Sequence, residues 1–355
     1  MLIRKLKAGF GSVFSIFRKK PCLECRRLAA ENQSLQAELV MTRAAYASRG
    51  SSAVSHPHAT SRDIPATRQG LGNAPSFPSD APTVLPPIGG KSRWAHLKAS
   101  VIGFGKSELQ DAHEVVVHGD NVVLIVCDGA GSKRRSKQGA DFVSSFLADR
   151  FRAWLESGQV PSAKTWAELT TRLFLEAADA LAYRAEDLGC ERDELGCTCI
   201  VAFSNTSFSA CSHVGDGRAG YLDGRGAWHS LMTPYKGLEA NATVFMTLLG
   251  RKNCVSLLRH KVVEGNHRAI VALSDGPESV CWHVATLDRE GLKLIDPNLP
   301  SGDFFGKISN QLAQASLKQA SQADLDTSWA QFLTGGNPQL ASEVDDKTLL
   351  IALRV

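Results

Sequence analysis

Two kinds of hydrophobic pattern alternate along the chain after residue 93. Short apolar runs, many of them β-branched or alternating with polar residues, predict strands at Ala99–Gly103, His113–Gly119, Asn121–Cys127, Thr198–Ser204, Ser207–Val214, Ala219–Asp223, Ala269–Ser274 and Thr348–Val355. Apolar residues at helical spacing predict helices at Lys137–Trp154, Trp166–Leu188, Asp303–Ser316 and Asp324–Leu333. Strands in two groups with helices set between them predict a layered α+β domain.

Aspartates stand at the ends of several of these strands. Asp128 and Asp275 each follow an apolar run and precede a glycine, Asp216 lies between two glycines, and Asp345 stands just before the run Leu349–Leu353. A carboxylate at a strand end can face a cleft, where hard divalent cations prefer oxygen ligands. The pattern therefore predicts one oxygen-rich site that the fold assembles from separate strands.

The alternative for each of these pairs is a hairpin turn, because Asp-Gly is a common two-residue turn between strands. Asp223-Gly224 fits that alternative, since strand-like sequence lies on both sides of it. Asp128 and Asp275 differ, because glycine, serine or proline and then a helical pattern follow each of them. We therefore interpret Asp223 as a turn residue and the other two as site residues.

Six short motifs occur in a characteristic order: QDAH from Gln110, VCDGAGS from Val126, GCT from Gly196, VGDGRAGYL from Val214, ALSDG from Ala272 and VDDKTLLIAL from Val344. This set resembles the type 2C metal-dependent serine/threonine protein phosphatases over roughly residues 95–355. The segment Lys236 to Thr247 is most similar to a bacterial branch of that family. The resemblance implies a four-layer α-β-β-α sandwich, a central antiparallel β-sandwich flanked by helices, with a metal site at one end.

The resemblance also implies a role for each motif residue. Asp128 would bridge two divalent cations, Mn²⁺ or Mg²⁺, and the Gly129 carbonyl would bind one of them. Asp275 and Asp345 would hold the other cation. Asp111 and Gln110 would act through bound water, and Asp216 would belong to a third, weaker cation site. Asp128, Asp111 and Lys106 would form the catalytic machinery, with Lys106 holding the phosphate.

The implied reaction is hydrolysis of phosphoserine and phosphothreonine on proteins. Two hard cations bind the phosphate oxygens and lower the pKa of a water that attacks in line, and an all-oxygen ligand set suits such ions. The implied partners are phosphoproteins and a cognate serine/threonine kinase, with no nucleic acid. The alternative is a catalytically silent phosphatase-like scaffold that binds phosphoproteins and acts through its N-terminal coiled coil.

Two positions depart from the family pattern. Ala130 stands where several animal members carry a histidine that serves as a general acid, so the leaving group must take its proton from elsewhere. Lys106 stands where many members carry an arginine, and a lysine binds phosphate as a point charge without the bidentate fork. Arg218 is expected to support the Asp216 loop, and His113 and His213 are expected to be core or rim residues.

Charge is concentrated at the N-terminus of the 355-residue chain. The net charge is +4, but residues 1–50 alone carry ten Lys or Arg against three Glu, a net of +7, which leaves −3 for the rest. Nine cysteines without pairwise regularity predict a reducing, cytoplasmic location. We expect Cys190, Cys197, Cys199 and Cys211 to be small buried residues.

Residues 1–20 predict a basic amphipathic helix with Ile3, Leu6, Phe10 and Phe17 on one face. Two interpretations stay open: a helix lying peripherally on the inner face of an anionic membrane, or a mobile or partner-docking tail weakened by its glycines. The segment is too short to span a bilayer.

Three further boundaries follow from composition. Residues 21–49 predict a short coiled coil, which would support a weak homodimer through residues 22–45, with Asn32 as a register-setting residue. Residues 50–92, rich in Pro, Ser and Ala, predict a disordered linker. Residues 93–355 then form the type 2C phosphatase-like catalytic domain.

Overall fold

The computed structural model describes residues 82–87, 93–159, 161–235, 243–249, 254–287 and 292–355. The chain divides into two compact units, Met1–Ser79 and Asp80–Val355, and every described residue belongs to the second. The predicted amphipathic helix, the predicted coiled coil and most of the predicted linker therefore lie outside the described residues. So does the first part of the Lys236 to Thr247 segment.

Two five-stranded antiparallel sheets form the centre of the second unit. The first contains, in spatial order, β2 (Ala112–His118), β3 (Asn121–Cys127), β4 (Cys199–Ser204), β5 (Phe208–Val214) and β8 (Arg259–Glu264). The second contains β1 (Trp94–Val101), β14 (Lys347–Arg354), β9 (Ala269–Leu273), β6 (Arg218–Leu222) and β7 (Trp228–Ser230). Two short ribbons pair β10 (Trp282–His283) with β13 (Leu299–Pro300) and β11 (Thr286–Leu287) with β12 (Leu294–Ile295).

Along the described part of the chain, the helices lie between these strands. They are α1 (Ser136–Glu156), α2 (Trp166–Asp187), α3 (Met246–Leu249), α4 (Glu278–Cys281), α5 (Gly302–Leu317), α6 (Gln322–Gly335) and α7 (Pro338–Ser342), with 3₁₀ turns at Arg192–Leu195 and Cys254–Leu257. Within the described segments, no helix combines the length and the apolar character that crossing a membrane requires.

Successive side chains of the central strands point to opposite faces of each sheet, which explains the layers of the fold. In β14, Leu349, Ile351 and Leu353 pack into a core with residues of α5 and α6, whereas Leu350 and Ala352 pack between the two sheets. In the same way, alternate residues of β3 contact α1 and α2 or the facing sheet. These strands are apolar throughout because both of their faces are buried. The α-β-β-α sandwich implied by the sequence motifs is confirmed.

The sequence predicted the buried elements better than the exposed ones. The long helices begin and end within about two residues of their predicted limits, but the first strand was misplaced, since β1 starts at Trp94 and ends at Val101. β8 was missed. It is an edge strand of its sheet, and its polar, partly exposed residues give no apolar run.

Part of the predicted linker packs on the folded unit. The Thr83 amide donates to the Gly226 carbonyl at 2.8 Å, and the Trp228 indole donates to the Thr83 hydroxyl at 3.2 Å. Leu85 packs against the core that α5 and α6 share with the second sheet. Residues within the predicted linker therefore make long-range contacts that the local composition does not predict.

The cysteines near the motifs are structural. Four of them are buried and form no disulfide bond: Cys127, Cys197, Cys199 and Cys211. Burial raises the pKa of their thiols. Cys190 departs from the prediction, because it is only partly buried at the edge of the core that contains α1 and α2.

Candidate metal centre

The end of β3 fixes Asp128 in place. The Asp128 amide donates to the Thr198 hydroxyl at 3.1 Å, and the Thr198 amide donates to the Asp128 carbonyl at 2.8 Å. Pairing with the segment before β4 thus continues two residues beyond Cys127, to a bridge between Gly129 and Cys197. The carboxylate that the sequence placed at a strand exit therefore stands on a rigid backbone.

Neighbouring backbone atoms leave no room for a side chain at Gly129. A Cβ atom at this position would lie 2.6 Å from the Gln110 carbonyl oxygen and 2.9 Å from the Ser136 carbonyl carbon. The Gln110 side-chain amide donates to the Ser136 hydroxyl at 2.9 Å, which joins the QDAH segment to the first residue of α1. These close approaches bring the first two motifs of the sequence into direct contact.

Asp111 lies just before β2 and is buried. One of its oxygens, Oδ2, accepts hydrogen bonds from the Ser274 and Thr348 hydroxyls, each at 2.7 Å. Its other oxygen, Oδ1, is buried without a hydrogen-bond donor among the described residues. Burial raises the pKa of Asp111 to about 6, although the two hydroxyls act in the opposite direction.

Asp275 follows β9 and, like Asp111, has a buried carboxylate oxygen without a donor and a raised pKa. Its Oδ1 is buried and has no donor among the residues that the structure describes. Burial, and after it the charges of Asp345, Asp216 and Asp111, raise the pKa of Asp275 to about 8. The next residue, Gly276, packs so closely on Asp346 that a Cβ atom would collide with the Asp346 carbonyl oxygen.

The five aspartates act on one another. The pKa of Asp128 is raised well above its ordinary value by burial first, and then by the charges of Asp111, Asp275, Asp345 and Asp216. All five stand at the same end of the sandwich, because their strands are antiparallel and they occupy matching ends. Mutual repulsion between carboxylates in a poorly hydrated place is the electrostatic signature of a cation site.

Asp345 has a cationic partner within the chain. The Lys106 ammonium lies 2.5 Å from Asp345 Oδ1 and 3.3 Å from Asp346 Oδ2. Burial alone would lower the pKa of Lys106, but the two carboxylates outweigh it and raise that pKa. The structure thus brings Lys106, the expected phosphate-binding residue, to the edge of the aspartate cluster.

Asp346 has a structural role that the sequence did not reveal. Its carboxylate accepts from the Gly103 amide at 2.9 Å and from the Gln110 amide at 2.7 Å. It therefore holds the segment between β1 and β2 against the start of β14. Ser274 and Thr348, which position Asp111, were also missed. Serine and threonine are too common in any sequence for their type alone to mark them.

Arg218 has partners that the sequence did not predict. Its guanidinium is fully buried and donates to both oxygens of Glu278, at 2.8 and 3.0 Å. It also donates to Asp296 at 2.8 Å and to Asn298 at 2.7 Å. Arg218 therefore ties the start of β6, next to the Asp216 loop, to α4 and to the segment before β13.

Neither histidine beside the motifs is placed to act as an acid at neutral pH. The Nδ1 atom of His113 lies 2.7 Å from the Ser100 hydroxyl, and Nε2 of His213 donates to the Thr233 carbonyl at 2.9 Å. Burial is the main cause that lowers the pKa of each to about 4. Both are neutral structural residues, as the sequence predicted.

The donor set fits divalent cations in its chemistry. Buried, unsatisfied carboxylate oxygens on Asp111 and Asp275 need a positive partner, and the charges around Asp128 need neutralising. The set is not drawn together into a closed cluster: among the described residues, no three His, Cys, Asp or Glu side chains stand close enough to share an ion. Asp345 contacts Lys106 instead.

The fold and the site together define a class, an α-β-β-α sandwich with an aspartate cluster at one end. A family model described as protein phosphatase 2C matches residues 105–327. The chain therefore belongs to the protein phosphatase 2C family and is a protein-serine/threonine phosphatase by that membership. The resemblance inferred from the six motifs is confirmed.

Solved structures with a similar arrangement include several bacterial phosphatases. A bacterial serine phosphatase is 15% identical, with 74% of this chain and 97% of that chain covered and a TM-score of 0.47. Stp1 from Staphylococcus aureus is 14% identical, with 76% and 96% covered and a TM-score of 0.47. The catalytic domain of PstP, solved with two manganese ions, is 14% identical, with 74% and 98% covered and a TM-score of 0.47. No curated protein sequence matches the chain.

Proposed function

We propose that the chain hydrolyses phosphoserine and phosphothreonine on proteins with the help of two divalent cations, Mn²⁺ or Mg²⁺. The observation that carries the proposal is the convergence of four aspartates from separate segments on a fifth, Asp128, whose pKa is raised by burial first and then by their charges. Such a cluster is costly unless cations neutralise it. The family membership supplies the reaction type.

We assign the ligands as follows. Asp128 would lie between the two cations, with the Gly129 carbonyl on one of them, and Asp275 and Asp345 would hold the other. Asp111 and Gln110 would contribute through bound water, and Asp216 would serve a third, weaker site. The unsatisfied Oδ1 atoms of Asp111 and Asp275 support this assignment. Asp345 must exchange the Lys106 ammonium for a cation, which is sterically simple because both side chains are partly exposed.

The remaining chemistry divides between the cations and the chain. Bound cations would polarise the phosphate oxygens and lower the pKa of a bound water. Lys106 lies at the edge of the site, where its positive charge can hold the phosphate. With Ala130 beside Gly129, and with His113 and His213 buried and bonded elsewhere, solvent is the proton source that we assign to the leaving group.

The test is phosphate release from a phosphothreonine peptide by the full-length chain, with Mn²⁺ and with EDTA. The variants are Asp128→Asn and Asp275→Asn, and the control is Asp179→Asn, an exposed carboxylate on α2. We expect turnover to require Mn²⁺ and to fall at least 100-fold in both site variants. The control should keep the activity of the natural chain.

Manganese binding, followed by electron paramagnetic resonance, gives a second measurement on the same samples. We expect both site variants to bind Mn²⁺ more weakly than the natural chain. If the natural chain binds Mn²⁺ but releases no phosphate from any phosphopeptide, the scaffold alternative replaces the enzyme. If the natural chain binds no Mn²⁺, the assignment of a metal centre is wrong.

A further inference from the structure

A tight turn stands beside the aspartate cluster. The Lys106 amide donates to the Gly103 carbonyl at 3.2 Å, and Gly105 has a φ of +78°. These features define a β-turn of type II, whose third position needs a positive φ and is best filled by glycine. Phe104 occupies the second position, and its amide donates to the Glu343 carbonyl at 2.7 Å. The turn is therefore anchored to the segment before β14.

Phe104 is the most exposed of three neighbouring apolar residues. It is 69% exposed, and Ile102 and Val344 are 42% and 64% exposed. The two segments touch, since a Cβ atom on Gly103 would collide with the Val344 carbonyl oxygen. Scattered apolar residues on a surface are ordinary, whereas apolar residues grouped beside a functional site are candidates for binding. We call Ile102, Phe104 and Val344 the rim patch.

The rim patch is continuous with the charged site. Val344 immediately precedes Asp345, and Phe104 lies two residues before Lys106, whose ammonium contacts that same Asp345. The Asp346 carboxylate holds the Gly103 amide, so the turn cannot move away from the aspartates without breaking a buried hydrogen bond. The chain thus presents a fixed apolar surface next to a cationic residue and a cluster suited to metal ions.

We propose that the rim patch binds an apolar side chain of the phosphoprotein substrate, one or two residues away from the phosphorylated serine or threonine. This inference rests on the proposed function, because it takes the phosphate to lie at the aspartate cluster beside Lys106. Phe104 and Lys106 are two residues apart in the chain, so their Cα atoms lie within about 7 Å of each other. Residues in an extended peptide are about 3.3 Å apart, so one or two peptide residues match that separation. A phosphate on a small molecule would not reach Phe104.

The proposal makes Phe104 a residue that determines specificity. Covering part of an exposed aromatic ring with a leucine side chain removes on the order of 60 Å² of apolar surface from water, which corresponds to about a tenfold gain in kcat/KM. The gain should appear for peptides with an apolar flank and disappear when that flank is polar. Ile102 and Val344 should contribute smaller shares, because they are aliphatic and shorter.

The experiment uses two phosphothreonine peptides that differ only at the two positions on each side of the phosphothreonine, leucine in one and serine in the other. The full-length natural chain, Phe104→Ser and the matched control Tyr183→Ser are compared by the ratio of kcat/KM for the two peptides. Tyr183, on α2, is also aromatic and also 69% exposed. Hydrolysis of p-nitrophenyl phosphate, which has no flanking residues, is measured for the natural chain.

We expect the natural chain and Tyr183→Ser to prefer the leucine peptide about tenfold, and Phe104→Ser to treat the two peptides within about twofold of each other. Equal ratios in all three proteins would overturn the docking proposal. Hydrolysis of p-nitrophenyl phosphate by the natural chain in that case would leave the proposed function standing. If the natural chain hydrolyses neither p-nitrophenyl phosphate nor the peptides, the proposed function fails first, and the docking proposal falls with it.

Discussion

The guanidinium of Arg218 donates hydrogen bonds to both carboxylate oxygens of Glu278 in the interior of the protein. Arg218 lies two residues after Asp216, and Glu278 lies three residues after Asp275. The Glu278 amide also donates to the Asp275 carbonyl at 3.0 Å. One buried ion pair therefore links two of the loops that carry the site's aspartates.

Removing the arginine should expose how much the fold depends on this pair. We expect Arg218→Met to lower the free energy of unfolding by about 3–5 kcal/mol, because it leaves Glu278 buried without its cation. The double variant Arg218→Met with Glu278→Gln should recover part of that loss, since no buried charge is then left unpaired. Urea denaturation of the natural chain and both variants measures the difference. Equal stability of the single and double variants would contradict the prediction.

Lys106 should affect substrate binding more than folding. Its partners are partly exposed or bonded to backbone amides, so we expect Lys106→Gln to change the free energy of unfolding by less than about 1 kcal/mol. The same variant should raise KM for a phosphopeptide several-fold, because a positive charge beside the phosphate is lost. Lys106→Arg keeps the charge and should stay near the natural value. An unchanged KM in Lys106→Gln would show that Lys106 does not bind the substrate phosphate.

Gly276 offers a steric test of the aspartate cluster. A Cβ atom there would collide with the Asp346 carbonyl oxygen, so Gly276→Ala must shift the turn that follows Asp275. We expect a loss of about 1–3 kcal/mol in the free energy of unfolding, together with weaker Mn²⁺ binding. Gly224→Ala is the matched control, because nothing lies within 4 Å of a Cβ at that position. Thermal denaturation and metal titration of both variants check the prediction.

His213 should make the protein sensitive to acid. Burial lowers its pKa to about 4 from an ordinary value of 6.5, so between these values the unfolded chain binds a proton that the folded chain does not. The contribution of His213 to the free energy of unfolding is complete above pH 6.5 and falls as the pH drops towards 4, by about 3 kcal/mol in all. We expect His213→Gln to flatten this part of the curve of unfolding free energy against pH. An unchanged slope would show that other groups control the acid response.

The sequence by itself determined the layered architecture and the positions of the main aspartates. A strand buried on both faces must be apolar along its whole length, as in β3 and β14, so its limits and the carboxylate at its end are visible in one dimension. Helical spacing located α1 and α2 for the same reason, since one face of each must meet a sheet. The metal-site residues came from this local pattern together with the order of the six motifs.

Only the tertiary structure decided which side chains hold the site together. The partners of Arg218, of Asp111 and of Asp346 lie between 60 and 243 residues away in the chain. Hydrogen bonds of this kind depend on which elements pack side by side, and no local pattern encodes that choice. The contacts of residues 82–87 and the edge strand β8 have the same origin, because neighbours in space determine both.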